Sequence, residues 1–295
     1  MQRRIKLYKC SNPILNLAAA IAMSESATPE QIEHLDRLIA SVLQSSKYKT
    51  IAPDLIQQIG IQELAKQPKL KEAIKATKNK LHQVGGAYLS YGTKYPKWLA
   101  ELESTQGDRA AFLATCQRIM GFHASTKERL SILDRIYAET MGTIAPINSV
   151  LDLACGFNPL AIPWMPLAAD MQYYACDIYG DMIGFINGFM AIAGISGNAW
   201  AQSISNTCPE QEVDLALILK TIPCLEQVDK GAGTRLLERI RAKHMLVSFP
   251  ARSLSGKNKG MVANYEQRFY ELIGDRAWQV QRFGFDSELL FMVSK

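Results

Sequence analysis

The chain has 295 residues, of which 48% are hydrophobic and 21% charged, an ordinary globular composition with apolar material for one large domain or two of common size. No stretch approaches the roughly 20 apolar residues with which a helix crosses a bilayer, so no membrane-spanning helix is expected. The formal net charge of +5 is unevenly placed: residues 1–120 carry 17 Lys and Arg against 10 Asp and Glu, the remainder 16 against 18. A basic segment beside a near-neutral one points to a polyanionic partner, because lysines and arginines displace counterions from phosphates; a solvated basic surface without a partner is the alternative. The six cysteines, at positions 10, 116, 155, 176, 208 and 224, form no CxxC pair and do not cluster with the four histidines. That argues against a structural zinc site or a disulfide framework, so no metal is expected, and the thiols read as free side chains in a reducing cytoplasm.

Residues 1–120 read as a helical, basic module. Arg3, Arg4 and Lys6 ahead of the apolar run 13–23 have the order of a secretory signal, but Asn16 interrupts the run and Ser24-Glu25-Ser26 makes a poor cleavage site. A helix capped by Ser11 or Asn12, with Pro13 in its first turn, accounts for the same residues. From Pro29 to Leu43, apolar Ile32, Leu35, Leu38, Ile39 and Val42 recur near every 3.6 residues behind a Thr28 cap. Pro53 to Leu64 repeats the pattern with Leu55, Ile56, Ile59 and Leu64. A third helix is predicted over Pro68 to Val84, in a stretch carrying Lys66, Lys69, Lys71, Lys75, Lys78 and Lys80. Lys71, Lys75 and Lys78 share one helix face through their i, i+4, i+7 spacing. Gly85-Gly86 ends that helix, and Tyr88, Tyr91, Tyr95 and Trp98 follow in a stretch read as loop because of Gly92 and Pro96. Those rings either stack on nucleobases or pack at a junction. A further helix is predicted over Asp108 to Met120.

From Ser149 the period changes. Val150 to Ala154 is a short apolar run closed by Cys155-Gly156, a buried strand and a tight turn. Strands are predicted at Gln172–Ile178, Asn198–Ser205, Val213–Leu219 and Met245–Phe249, with helices at Asp181–Ala193, Thr234–Arg241 and Tyr265–Ile273. Trp278–Phe285 and Glu288–Val293 close the chain as a hairpin pair. Alternation of this kind means a doubly wound α/β sheet, and its two closing strands resemble the seven-stranded class I (Rossmann-like) S-adenosylmethionine methyltransferase fold. In such sheets the ligand lies beyond the carboxyl ends of the strands. There stand Asp152 and Gly156 after the first strand, Asp177 after the second, and Leu219-Lys220-Thr221 after the fourth. A carboxylate at Asp177 can accept both hydroxyls of a ribose. The full G-x-G-x-x-G fingerprint is missing, with Gly156-Phe-Asn-Pro in its place. The turn therefore lacks a pyrophosphate cradle, which disfavours a nicotinamide or ATP site and suits a sulfonium nucleoside.

Four blocks carry a more specific resemblance: His123-Ala-Ser-Thr-Lys-Glu-Arg129, Asp152-Leu-Ala-Cys-Gly-Phe-Asn-Pro-Leu160, Leu219 to Gln227, and Val247 to Leu254 with Gly256 to Met261. Together they resemble the aminoglycoside-resistance 16S rRNA methyltransferases, which modify N7 of a decoding-site guanine. The similarity runs from about Tyr88 to the C-terminus; residues 1–120 resemble the family in kind, as a basic helical module that docks on the small ribosomal subunit. The resemblance implies a methyltransferase domain over 121–295 and S-adenosyl-L-methionine as cofactor. It implies that Arg129 contacts the cofactor carboxylate, a pairing suited to a guanidinium fork. Tyr88, His123, Ala124 and Ser125 are then pocket positions; Ala154 and Gly156 line the methionine part, Asp177 holds the ribose, Ser203 and Ile204 flank the adenine, and Leu219 and Gln227 complete the pocket. The family's glutamine aligns one position later, where this chain has Val228. Lys220 resembles a lysine near the target nucleotide.

N7 of guanine has a lone pair and no proton at neutral pH, so no general base is required and none is nominated; Lys220 is expected to position the target. The base must leave its helix, and phosphate contacts from Lys66, Lys69, Lys71, Lys75 and Lys78, and from the loop residues Arg252, Lys257 and Lys259, would offset that. The expected partner is 16S rRNA in the assembled small subunit, met by a cytoplasmic monomer. A methyltransferase for another rRNA nucleotide or a small molecule, and a non-enzymatic RNA-binding protein on a degenerate methyltransferase domain, are the alternatives.

Overall fold

The computed structural model describes residues 28–67, 69–86, 88–89, 93–251 and 260–295. The helix expected at 13–23, the ring of Tyr91 and the loop residues Arg252, Lys257 and Lys259 lie outside the described residues. The first helix, α1 (Pro29–Leu43), opens on a capping box: the Gln31 amide donates to the Thr28 hydroxyl while the Thr28 amide donates to the Gln31 side chain. It packs on α2 (Pro53–Lys66) and α3 (Leu70–Leu81), and α3 runs directly into a π-helical turn, His82–Gly86.

The next helix, α4 (Tyr95–Ser104), corrects the expectation of a loop. Pro96 sits in its first turn, where a missing N–H costs nothing, and Tyr95, Trp98, Leu99 and Leu102 form one apolar stripe. Trp98 is buried against Phe122, Phe157 and Phe185, so Tyr95 and Trp98 are packing residues. Next follows α5 (Arg109–Met120), whose Asp108 cap accepts from the Ala111 amide. Two shorter helices, α6 (Ala124–Arg129) and α7 (Leu133–Met141), lead into the sheet.

The seven strands are β1 (Ser149–Leu153), β2 (Gln172–Asp177), β3 (Ser196–Ala201), β4 (Val213–Leu219), β5 (Ala242–Pro250), β6 (Gln279–Gly284) and β7 (Glu288–Ser294). They order as β3-β2-β1-β4-β5-β7-β6, with β7 antiparallel between β5 and β6. This is the expected doubly wound sheet with a closing hairpin. The third strand ends at Ala201 rather than at Ser205, because after the Gln202 amide makes the last rung to the Asp177 carbonyl the Ser203 amide donates to Asp54 instead.

The core on one face of the sheet takes in side chains of α1 to α5, α7 and α8 (Gly180–Ile192), and that on the other face those of α9 (Ile222–Val228), α10 (Ala232–Arg239) and α11 (Met261–Ile273). The first core is continuous from Leu35 of α1 to Leu290 and Met292 of β7. Gly188 makes one of its joints: a Cβ there would lie 2.8 Å from a Leu99 methyl, so the Leu99 side chain of α4 fills the space beside α8 that a larger residue would share. No helix of the described residues is long and apolar enough to cross a membrane.

Candidate active site

The carboxyl ends of β1, β2 and β4 open into a pocket. Three backbone positions there have left-handed φ: Ala154 at 52° and Gly156 at 51° after β1, and Lys220 at 58° after β4. Such conformations are unfavourable for residues with a Cβ, and persist where the surroundings over-determine them. At Gly156 the reason is visible: a Cβ would lie 2.7 Å from the His123 ring, which covers the turn. Lys220 is held by its amide, which donates to the Ser248 carbonyl and hydroxyl.

Asp177 accepts the Gly156 amide at 3.0 Å and the Ile178 amide at 2.7 Å. Burial pushes its carboxyl up, and those amides partly offset the shift. Asp177 lines the pocket. Asp152, at the end of β1, is fully buried; its Oδ2 accepts from Asn158 and from the Tyr173 hydroxyl, while Oδ1 has no partner among the described residues. Burial raises its carboxyl to about 7 despite the two hydrogen bonds. His123 Nδ1 is likewise buried and unpartnered, and burial, with the Arg129 and Lys220 cations behind it, lowers the imidazole to about 4, so the ring is neutral.

A buried ion network forms the back wall. Arg129 donates from Nε and Nη2 to both oxygens of Glu288, at 3.1 and 2.8 Å, and from Nη1 to Asn158 at 2.9 Å. Lys220 Nζ lies 2.6 Å from Glu128 and 3.5 Å from Glu288, which also accepts from Ser248 at 2.6 Å. Burial alone would push Glu288 up; Arg129 and Lys220 outweigh it and hold the carboxyl below its usual range. Arg129 is correspondingly held more firmly protonated, Glu288 overcoming the effect of burial.

The helical region supplies the rest of the wall. Leu55 of α2 and Val84 and Gly85 of the π-helical turn line the pocket. Two backbone hydrogen bonds stitch the two parts together, from Ala52 to the Ile178 carbonyl and from Gly180 to the Thr50 carbonyl, both 2.8 Å. The Ser203 amide donates to Asp54, and Gln58 to Asn206.

The ribosomal RNA methyltransferase (FmrO) family model matches residues 44–293. The chain belongs to that family. It is 33% identical over 277 residues to a 16S rRNA (guanine(1405)-N(7))-methyltransferase of Micromonospora echinospora, covering 92% of this chain and all of that protein. It is also 33% identical, over 80% of this chain and 88% of the relative, to a protein of the same name from Serratia marcescens. Among solved structures it resembles the 16S rRNA methyltransferase RmtF in complex with S-adenosyl-L-homocysteine, with a TM-score of 0.78 and 29% identity over 89% of this chain and 98% of that one.

Of the positions that the family resemblance nominated, the structure brings Tyr88, His123, Ser125, Arg129, Ala154, Asp177, Ser203, Ile204, Leu219 and Lys220 to one pocket, with Gly156 under the His123 ring. Three do not line it: Ala124, at the start of α6, Gly156, which the His123 ring covers, and Gln227, which is exposed on α9 while its neighbour Val228 faces the pocket. On a helix, one position turns a side chain by about 100°, which is enough to move it off the wall. Lys71 and Lys75 of α3 are exposed with no ion pair among the described residues, whereas Lys66 and Lys69 pair with Glu63 and Glu72. Sequence reasoning missed Asn158, Glu128 and Glu288. Asn158 stood inside a quoted motif; Glu288, 159 residues from Arg129, carried no local signal.

Proposed function

We propose that the chain is a 16S rRNA (guanine(1405)-N(7))-methyltransferase, acting as a cytoplasmic monomer on the assembled small subunit and conferring aminoglycoside resistance. Support comes first from the relatives of that name, and the observation that carries the reading is the pocket itself. It places a buried arginine, an unpartnered buried carboxylate oxygen and an unpartnered imidazole nitrogen side by side at the end of β1. Orphaned buried polar atoms are costly, so they fit a ligand with a zwitterionic end. S-adenosylmethionine, when bound, supplies an electrophilic methyl group on a sulfonium. Arg129 would take the ligand's carboxylate, and Asp152 Oδ1 and His123 Nδ1 would take its ammonium. Asp177 would accept the ribose hydroxyls, and Ser203, Ile204 and Leu55 would enclose the adenine.

The chain's residues supply orientation, not proton transfer. The acceptor nitrogen carries no proton, Lys220 is committed to two carboxylates, and His123 is kept neutral. A neutral ring beside a sulfonium avoids repulsion. Holding the acceptor in line is worth about 7 kcal/mol or more. The free Lys71–Lys75 face of α3 would contact rRNA phosphates. The test is to incubate small subunits with labelled cofactor and map N7-methylguanine by reduction and strand cleavage. Cleavage at the decoding-site guanine is expected; incorporation only elsewhere would overturn the assignment.

A further inference from the structure

The ion network of the back wall continues outward. Arg129 and Lys220 share Glu288 behind them, and Glu128 pairs with Lys220 from the other side at 2.6 Å. Side-chain exposure runs from 0% at Glu288 through 6% at Lys220, which lines the pocket, to 31% at Glu128, so the series leads outward from the interior. Glu128 Oε2 takes the Lys220 ammonium, and Oε1 takes no hydrogen bond from any described residue. Among the described residues, a donor next to the pocket therefore stands beside an acceptor with lone pairs to spare.

That order is the complement of one purine. Along its Watson–Crick edge guanine offers the O6 acceptor, then the N1–H and N2–H2 donors, whereas adenine offers an N6–H2 donor, then the N1 acceptor. A flipped base is read along this edge. We infer that Glu128 is a specificity-determining residue, accepting N1–H and N2–H of the target guanine while Lys220 donates to O6. Adenine would set ammonium against amino group and carboxylate against lone pair, two repulsive contacts. N7 lies on the far side of O6 from N1, so both contacts leave it free to face the methyl donor. This inference rests on the guanine-N7 reading given above.

The test uses small subunits reconstituted with 16S rRNA carrying either guanine or inosine, which lacks the N2 amine, at the target position. With guanine, Glu128→Ala should lower kcat/KM about 100-fold, the range for loss of a charge-assisted pair of hydrogen bonds, and Glu128→Gln should be intermediate. The Kd for S-adenosylhomocysteine and the affinity for the subunit should change less than about twofold. Inosine should slow the wild-type enzyme about tenfold and Glu128→Ala hardly further, because the contact is already gone. If Glu128 only holds Lys220 in place, the inosine penalty will persist undiminished in Glu128→Ala, and the inference is overturned; wild-type kcat/KM in that variant overturns it as well. A wild-type enzyme that transfers no methyl to the target guanine would instead overturn the function on which it rests.

Discussion

Two residues set what the pocket asks of its ligand. Asp152 is buried with its carboxyl raised to about 7, so in the unliganded protein it binds a proton through a range where the unfolded chain does not. Its ionised form is thus disfavoured by folding, and stability contributed by this group declines as pH rises from about 4 to about 7. A cationic ligand reverses the preference by favouring the carboxylate, so binding near neutrality should release a proton. Affinity for S-adenosylmethionine should be flat above about pH 7.5 and fall below about pH 7, by up to about tenfold per unit. Calorimetry at pH 6.5 in buffers of different ionisation enthalpy measures the proton directly; no buffer dependence would remove Asp152 from the cofactor site. Arg129 makes a contrasting case. Arg129→Ala leaves Glu288 buried against Lys220 alone and should cost about 3–5 kcal/mol of stability, which a denaturant titration would show. Adding Glu288→Gln should recover a large part of that loss. If the two changes merely add, the pair is not a unit.

At the scale of elements, the strands were legible because buried parallel strands are continuous apolar runs, and β1, β4 and β5 fall where those runs lie. The miss at α4 came from reading Pro96 as a breaker, when in a first turn it marks a start. The miss at β3 came from a polar stretch, Gln202 to Ser205, whose role as a turn against α2 depends on Asp54, 149 residues away. Motif spacing found the pocket positions on β1, β2, β4 and α6, whereas α2 and the π-helical turn entered the wall through tertiary packing that no local pattern carries. That packing can be tested. Asp54→Ala frees the Ser203 amide and should weaken S-adenosylhomocysteine binding about tenfold, the range for one hydrogen bond to a charged acceptor. Thr28→Ala, in the same helical region but at the far cap of α1, should lower stability by about 1 kcal/mol and leave the Kd unchanged. Equal Kd values for the two variants would mean that α2 does not shape the pocket.

For the molecule as a whole, the charge asymmetry suggests two modules, and the packing joins them. Leu35, Leu38 and Val42 of α1, Ile56 and Ile59 of α2, Trp98 of α4 and Leu290 of β7 belong to one core, and the backbone links from Ala52 to Ile178 and from Gly180 to Thr50 cross the same junction beside Asp177. Helices that cannot bury their apolar faces elsewhere should not unfold ahead of the sheet. The chain is therefore expected to melt in one cooperative transition, with calorimetric and van't Hoff enthalpies in agreement. S-adenosylhomocysteine at 100 times its Kd binds only the native state, and should add about 2.7 kcal/mol to its stability. Because the pocket draws walls from both parts, the whole transition should move upward by several degrees without splitting. Differential scanning calorimetry with and without the ligand decides the point. A first transition that ignores the ligand, followed by a second that responds to it, would mean that the basic helices fold apart from the catalytic sheet. In that event substrate docking could not be communicated to the cofactor pocket through the junction at Thr50 to Leu55.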